Sequence, residues 1–263
     1  MGFFGRKRAP SVPHPRKEPR FDGPLTLERL EQIFQDCVDF TKRPVSLGEG
    51  GACTLTLCYL SGMVKMERVS DYVLRPLAQD EALARCGTPR QAMEEMMGGA
   101  LYNLSAAERT TLDEAAFDLV AGWCLLFFPG ESAVLSLFVG TEEKRSISSP
   151  SNETVLKGSR DAFVESLRTN TSIVRRHLKA PELRIREQVV GRQSVTSVDI
   201  LYIEGLTNPH LVEQVAAQLA DIDIDAVLAT GNIEEYIVPA ARTAFPLVQY
   251  TERSDRFCAG LAE

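Results

Sequence analysis

The chain has 263 residues, 44% hydrophobic and 25% charged, the composition of a soluble protein with enough apolar side chains for one or two cores. Its formal net charge is -7 although residues 1 to 24 carry six basic groups, so the body is strongly acidic, which argues against a dedicated nucleic-acid binder that must neutralise phosphates. The longest uninterrupted apolar run, Leu119 to Phe128, is about half of the roughly 20 residues a spanning helix needs, so no transmembrane segment is expected in this chain.

Residues 1 to 24 set Arg6, Lys7, Arg8, Arg16, Lys17 and Arg20 among Pro10, Pro13, Pro15, Pro19 and Pro24. Such a stretch neither propagates a helix nor buries an apolar face, and reads as a disordered basic tail. It lacks the apolar core of a secretory signal, and Arg6 stands where a myristoylation signal needs Ser or Thr. Basic residues close to an anionic membrane surface gain about 1 kcal/mol each, which makes that surface one partner the tail suits; a solvated leader without a role is the other reading.

A first α/β subdomain is expected over 25–149. Thr26 caps a helix carrying Leu27, Leu30, Ile33, Phe34, Cys37 and Val38 at helical spacing. Thr54 to Leu60, bounded by Gly50, Gly51 and Gly62, reads as a strand. Arg68 to Ala78 reads as a helix disturbed at Pro76, and Leu112 to Leu119 as another. Trp123 to Phe128, Pro129-Gly130 and Ala133 to Val139 form a hairpin pattern.

The serines and proline of RSISSPSNE mark a link, and a second α/β subdomain is expected over 150–263. Ser159 is placed to cap a helix reaching about Leu178, with basic residues at its C-terminal end. Leu183 and Ile185 alternate with Arg184 and Arg186 in a strand, a turn follows at Gly191 to Ser194, and Val195 to Ile203 returns as its partner. Asn208 and Pro209 start a helix whose apolar face is Leu211, Val212, Val215, Ala216 and Leu219. A short Asp221 to Val227 segment, a turn at Gly231, a helix near Ile233 to Val238 and a strand near Leu247 to Tyr250 complete the pattern. The interleaving predicts an α/β fold of two subdomains with mixed sheets.

Motifs for chemistry are few. GEGGACT, with Gly48, Gly50 and Gly51, lacks both the third fingerprint glycine and the lysine-serine pair of a phosphate loop. No serine sits in a nucleophile elbow, and His14, His177 and His210 lie far in sequence from any obvious nucleophile. The six cysteines form no C-x-x-C pair and read as reduced, buried small hydrophobes; no metal site and no cofactor are expected. Asp221, Asp223 and Asp225 alternate, which would place them on one strand face as an acidic edge, with a cation site as the weaker reading.

The densest polar constellation comprises Arg160, Glu165, Arg168, Asn170 and Thr171, then Arg192, Glu204, and finally Thr251, Glu252, Arg253, Asp255 and Arg256. It mixes signs and has no poised nucleophile, which fits an ion-paired structure or a contact surface better than catalysis.

Three phrases hold all of those residues: KGSRDAFVESLRTNTSIVRRHLK, VGRQSVTSVDILYIEGLTNP and FPLVQYTERSDR. In this order and spacing they resemble the N-terminal region of the GerA family of spore germination proteins, which includes the A subunits of nutrient germinant receptors and the related sporulation protein SpoVAF. The resemblance is dense over roughly the last 115 residues and looser from about Leu25 to Ile147; the family pattern has proline where Ser254 stands. It implies a cytoplasmic module at the inner spore membrane, continuous with a membrane domain and assembled with B-type and C-type receptor subunits. It implies signalling or assembly and no enzymatic reaction. A SpoVAF-like accessory protein, or a small-molecule binder with a cleft between two domains, is the alternative.

Overall fold

A computed structural model describes residues 20–47, 53–100, 105–140, 162–227, 230–238 and 247–263. The chain divides into two compact units, the first made of Met1–Gln35, Asp39–Glu143 and Lys179–Pro181, the second of Asp36–Val38, Lys144–Leu178 and Glu182–Glu263. The link RSISSPSNE lies outside the described residues.

The first unit opens with α1 (Leu27–Ile33), capped by Thr26 Oγ1, which accepts the Arg29 N–H. Cys37 and Val38 are not on this helix, because Asp36 adopts a left-handed φ of 57° just after its end. Strands β1 (Phe40–Leu47), β2 (Cys53–Leu60), β3 (Ala106–Arg109), β4 (Trp123–Phe127) and β5 (Val134–Phe138) form one sheet in the order β1-β2-β4-β5-β3. Strand β1, which its charges and Pro44 disguise in the sequence, is an edge strand, where proline and solvated side chains are tolerated.

Helices cover both faces of this sheet. On one, α2 (Met66–Val69), α3 (Arg75–Gln79), α4 (Glu81–Ala84) and α5 (Pro89–Glu95) place Val69, Leu77, Leu83 and Met93 against Leu55, Leu57, Leu126, Leu135 and Leu137. Between α2 and α3 runs a π-helical turn, Ser70–Leu74, in which the Arg75 N–H reaches Ser70 O. This is the disturbance expected at Pro76, whose missing N–H and bulky ring are accommodated by the wider turn before it. On the other face, α6 (Leu112–Val120) packs over β2, β4 and β5, and α1 packs on α6. Gly122 follows α6 with a φ of 89°, and a side chain there would meet Met63 O at 3.0 Å and Gly140 Cα at 3.1 Å, so this backbone crossing requires glycine.

The second unit is built on a two-stranded hairpin, β6 (Leu183–Val190) with β7 (Thr196–Ile203), in the expected pairing. Alternation sends Leu183, Ile185, Leu201 and Ile203 to one face, where α7 (Leu167–His177) and α10 (Ser254–Ala262) add Val174, Cys258 and Phe257. Val190, Val198 and Ile200 lie on the other face, with Leu219 of α8 (Pro209–Ala220), Ile222, Val227, and Ile233 of α9 (Thr230–Ile237). Three residues from early in the chain join this unit: Cys37 bridges Ile185 in parallel, and the Val38 N–H donates to Ile185 O at 2.9 Å.

The α/β class is as expected, but every ladder between these strands is antiparallel where mixed sheets were expected. Short turns joining β4 to β5 and β6 to β7 force the returning strand to run the opposite way. Asp221 to Val227 is not a strand, Gly231 lies inside α9 and not in a turn, and Leu247 to Tyr250 is irregular and largely exposed. Leu211, expected on the buried face of α8, is 53% exposed. Among the described residues no helix is long and apolar enough to cross a membrane.

Candidate functional site

Helix α7 begins later than the Ser159 reading placed it. Its cap is Ser166, whose Oγ accepts the Thr169 N–H, while residues 162–166 approach it in a non-helical path. Ala162 bridges Arg253 in antiparallel fashion and the Phe163 N–H donates to Glu252 O at 2.8 Å, so these residues use their hydrogen bonds on the C-terminal segment and cannot continue the helix backwards. Asn170 holds the approach from the helix side: its Oδ1 accepts the Val164 N–H at 2.8 Å and its Nδ2 donates to Val164 O at 2.7 Å. Thr171, buried, donates to Arg168 O at 3.1 Å.

Arg168 projects from α7 onto the polar end of the inner sheet face. Glu187 and Asp199 stand directly opposite each other in the β6–β7 register, an arrangement of like charges that repels. The Arg168 guanidinium ion-pairs with Glu187 and lies 3.5 Å from Asp199 Oδ2, whose side chain is only 1% exposed. A hydrogen bond from Ser197 and then the Arg168 guanidinium hold the Glu187 carboxyl below its ordinary value, against the opposing effect of burial. Just before α10, Arg253 grips Asp255 with two bonds of 3.0 and 2.6 Å, and this first of all lowers the Asp255 carboxyl.

Both shifts have the same sign for stability. A carboxyl whose folded value is depressed binds its proton later in the folded state than in the unfolded one, so it stabilises the fold at neutral pH. That contribution begins to fade as pH drops past the ordinary values of 4.5 for Glu187 and 3.8 for Asp255, and is gone below their lowered folded values. Urea midpoints of the second unit are expected to fall through this window. Replacing Arg168 by Ala should make the fall shallower, and an unchanged slope would show that this arginine does not hold Glu187 ionised.

The remaining residues of the constellation are scattered. Arg192 lies at the turn end of the hairpin, exposed, 2.6 Å from Asp223. Glu204, also exposed, lies beyond the opposite end, 3.8 Å from Arg184. Eight-residue strands separate those ends by about 23 Å, so the two do not share one site. Glu165 is exposed. Arg160 lies outside the described residues. The structure thus brings Arg168, Asn170, Thr171, Glu252, Arg253 and Asp255 into one braced assembly of α7, the inner sheet face and the C-terminal segment, and leaves Glu165, Arg192 and Glu204 at the surface.

Burial pushes the Cys58 and Cys124 thiols up to about 12 and Cys258 to about 11, which keeps these sulfurs protonated and poor nucleophiles at neutral pH. Cys53 and Cys86 are half-buried where full burial was expected. Ser254 Oγ lies 3.3 Å from His177 Nε2, a pairing not anticipated from the sequence, but Ser254 is fully buried at the start of α10 and out of a substrate's reach. Among the described residues no group of three His, Cys, Asp or Glu could hold a metal ion. Asp221, Asp223 and Asp225 are not a strand edge: Asp223 pairs with Arg192, and the Asp225 carbonyl accepts N–H groups of the hairpin turn.

The family described as Bacillus/Clostridium GerA spore germination protein matches residues 28–263. The chain is 35% identical over 237 residues to the uncharacterized membrane protein YfkQ of Bacillus subtilis, covering 90% of this chain and 45% of that protein. It is 32% identical to spore germination protein KA of the same organism, with 86% and 41% covered, and 31% identical to its stage V sporulation protein AF, with 76% and 40% covered. The chain therefore spans less than half the length of each of these relatives. Its fold is similar to the crystal structure of the N-terminal domain of the A subunit of the Bacillus megaterium spore germinant receptor GerK3, with a TM-score of 0.66 and 25% identity over 92% of this chain and 90% of that one.

Proposed function

Because the chain belongs to the GerA family of spore germination proteins, we propose that it is the N-terminal module of an A-type germinant receptor subunit and acts there in signalling and assembly without catalysing a reaction. The observation that carries this reading is the near-complete coverage, in both directions, between this chain and the GerK3 A-subunit domain. The ion pairs and hydrogen bonds that tie α7 to the hairpin and to the C-terminal segment favour a mechanical role in this reading. Its partners in this reading are a membrane domain on the same polypeptide and the B-type and C-type subunits, with the module on the cytoplasmic face of the inner spore membrane and the basic tail against anionic lipid. The likeness to stage V sporulation protein AF favours a second reading, an accessory protein of the same germination event.

The test is genetic. Spores lacking the polypeptide that carries this chain should germinate more slowly with nutrients and recover when it is restored. Glu165→Ala and Glu204→Ala, at exposed positions, should weaken recovery while lowering the melting temperature by a few degrees at most, because exposed contacts cost the fold about 1 kcal/mol or less. A purified wild-type chain that turns over a substrate would contradict the non-catalytic reading.

A further inference from the structure

The loop between β6 and β7 holds a residue in the wrong conformation for its type. Val195 has a φ of 46°, the left-handed region that β-branched side chains avoid and that hairpin turns normally give to glycine or asparagine. The strain is not relieved by motion of the loop, because the backbone N–H of Arg192 donates to Ile224 O at 2.9 Å and those of Gln193 and Ser194 to Asp225 O at 2.8 and 3.2 Å. Ser194 Oγ accepts the Val227 N–H at 3.0 Å, and the Val195 N–H closes on Gly191 O at 3.2 Å. The side chain held this way is 64% exposed, so among the described residues the strain yields no core contact in return. Val189, one residue before the pair Val190–Thr196 that closes the loop, is 56% exposed.

The surroundings of this apolar tip are acidic. The segment that clamps the loop presents Asp221, Asp223 and Asp225 to solvent, and Arg192 is ion-paired with Asp223. An anionic bilayer would be repelled by that rim, whereas a protein surface with basic side chains around an apolar depression would match both its charge and its shape.

We propose that the end of the β6–β7 hairpin is a preformed docking knob: Val195 enters an apolar socket bordered by Lys or Arg on a different protein of the receptor assembly. This rests on the reading of the chain as a receptor subunit. Strain in the free protein then keeps the anchor oriented for binding, and less ordering is needed when the partner arrives.

Two measurements on the full polypeptide test it. A photo-crosslinking amino acid at position 195 in spore membranes should give one protein adduct whose yield falls at least tenfold in 0.5 M salt, with no such adduct from the same group at Tyr72 in the first unit. Val195→Gly removes the strain and the anchor together. The variant chain should melt no lower than wild type while its co-purification with the adduct protein falls at least tenfold. An adduct only to lipid or to a second copy of this chain, no adduct, or wild-type co-purification of Val195→Gly would each overturn the knob. If spores lacking the polypeptide germinate normally while spores that carry it still give the adduct, the receptor reading fails and the docking surface stands.

Discussion

Asp118→Ala is expected to be among the most damaging single changes in the first unit, at about 3 to 5 kcal/mol, the range typical when one partner of a buried ion pair is removed. Asp118 lies on α6 and is 2% exposed. Its carboxylate accepts two bonds from Arg109 of β3, at 2.6 and 3.3 Å, and one from Ser136 Oγ of β5 at 2.7 Å. The same guanidinium sits 5.9 Å from the centre of the Trp123 ring on β4, so one carboxylate ties a helix to the strand that closes the sheet. Alanine would leave a nearly buried cation and a buried hydroxyl without this acceptor. Asp118→Asn keeps an acceptor but not the charge and should lose less. Chemical denaturation of the two variants checks the ranking; a loss below 1 kcal/mol for Asp118→Ala would mean that the network adds little to the fold.

Arg175→Leu should have a comparable effect in the second unit, about 2 to 4 kcal/mol, although leucine is the more hydrophobic residue. Arg175 is fully buried on α7, and its Nη1 donates to Leu183 O at 3.2 Å, where Cys37 Sγ also donates at 3.4 Å. The shorter, forked side chain of leucine neither supplies a donor to the carbonyl at the start of β6 nor refills the same volume. Two units need not unfold together, so a melting temperature detects a loss of stability but does not say which unit lost it. Hydrogen exchange should show lost protection in α7, β6 and β7 with the sheet of the first unit unchanged. Uniform loss in both units, or none, would contradict this assignment.

The sequence made some elements legible because local chemistry and tertiary packing agree there. Thr26 before α1, the Pro129-Gly130 turn between β4 and β5, the alternation of β6 and β7, and Asn208-Pro209 before α8 each state their structure locally. Other elements depend on partners distant in sequence. Ser159 and Ser166 are both competent caps, and what selects Ser166 is the pairing of 162–163 with Glu252 and Arg253. Helix α10 was hidden because it has no side-chain cap and carries Gly260, and its formation follows from packing Phe257 and Cys258 on the hairpin. The Asp221 to Val227 alternation imitates a strand while the chain buries Ile222 and Val227 and offers carbonyls to the hairpin loop.

The polar residues of the candidate site divide along the same line. Arg168, Asn170, Arg253 and Asp255 could be singled out as a mixed-sign cluster, but their role as braces needs the register that sets Glu187 against Asp199. Asp199 is not legible in the sequence, since a single aspartate in an apolar strand announces nothing until its opposite residue, Glu187, is known. In sequence Arg175 is one of several basic residues at a helix end, where charge favours the dipole, and neither its complete burial nor its bond to Leu183 O of β6 is stated locally.

The central claim, that this chain is a structural and signalling module of a germinant receptor, is tested most directly by purifying the full polypeptide from detergent-solubilised spore membranes and identifying what accompanies it. The account predicts co-elution with a B-type membrane subunit and a C-type subunit in constant ratio, lost when this module is deleted. A polypeptide that elutes without them, from spores whose nutrient germination does not depend on it, would contradict the account.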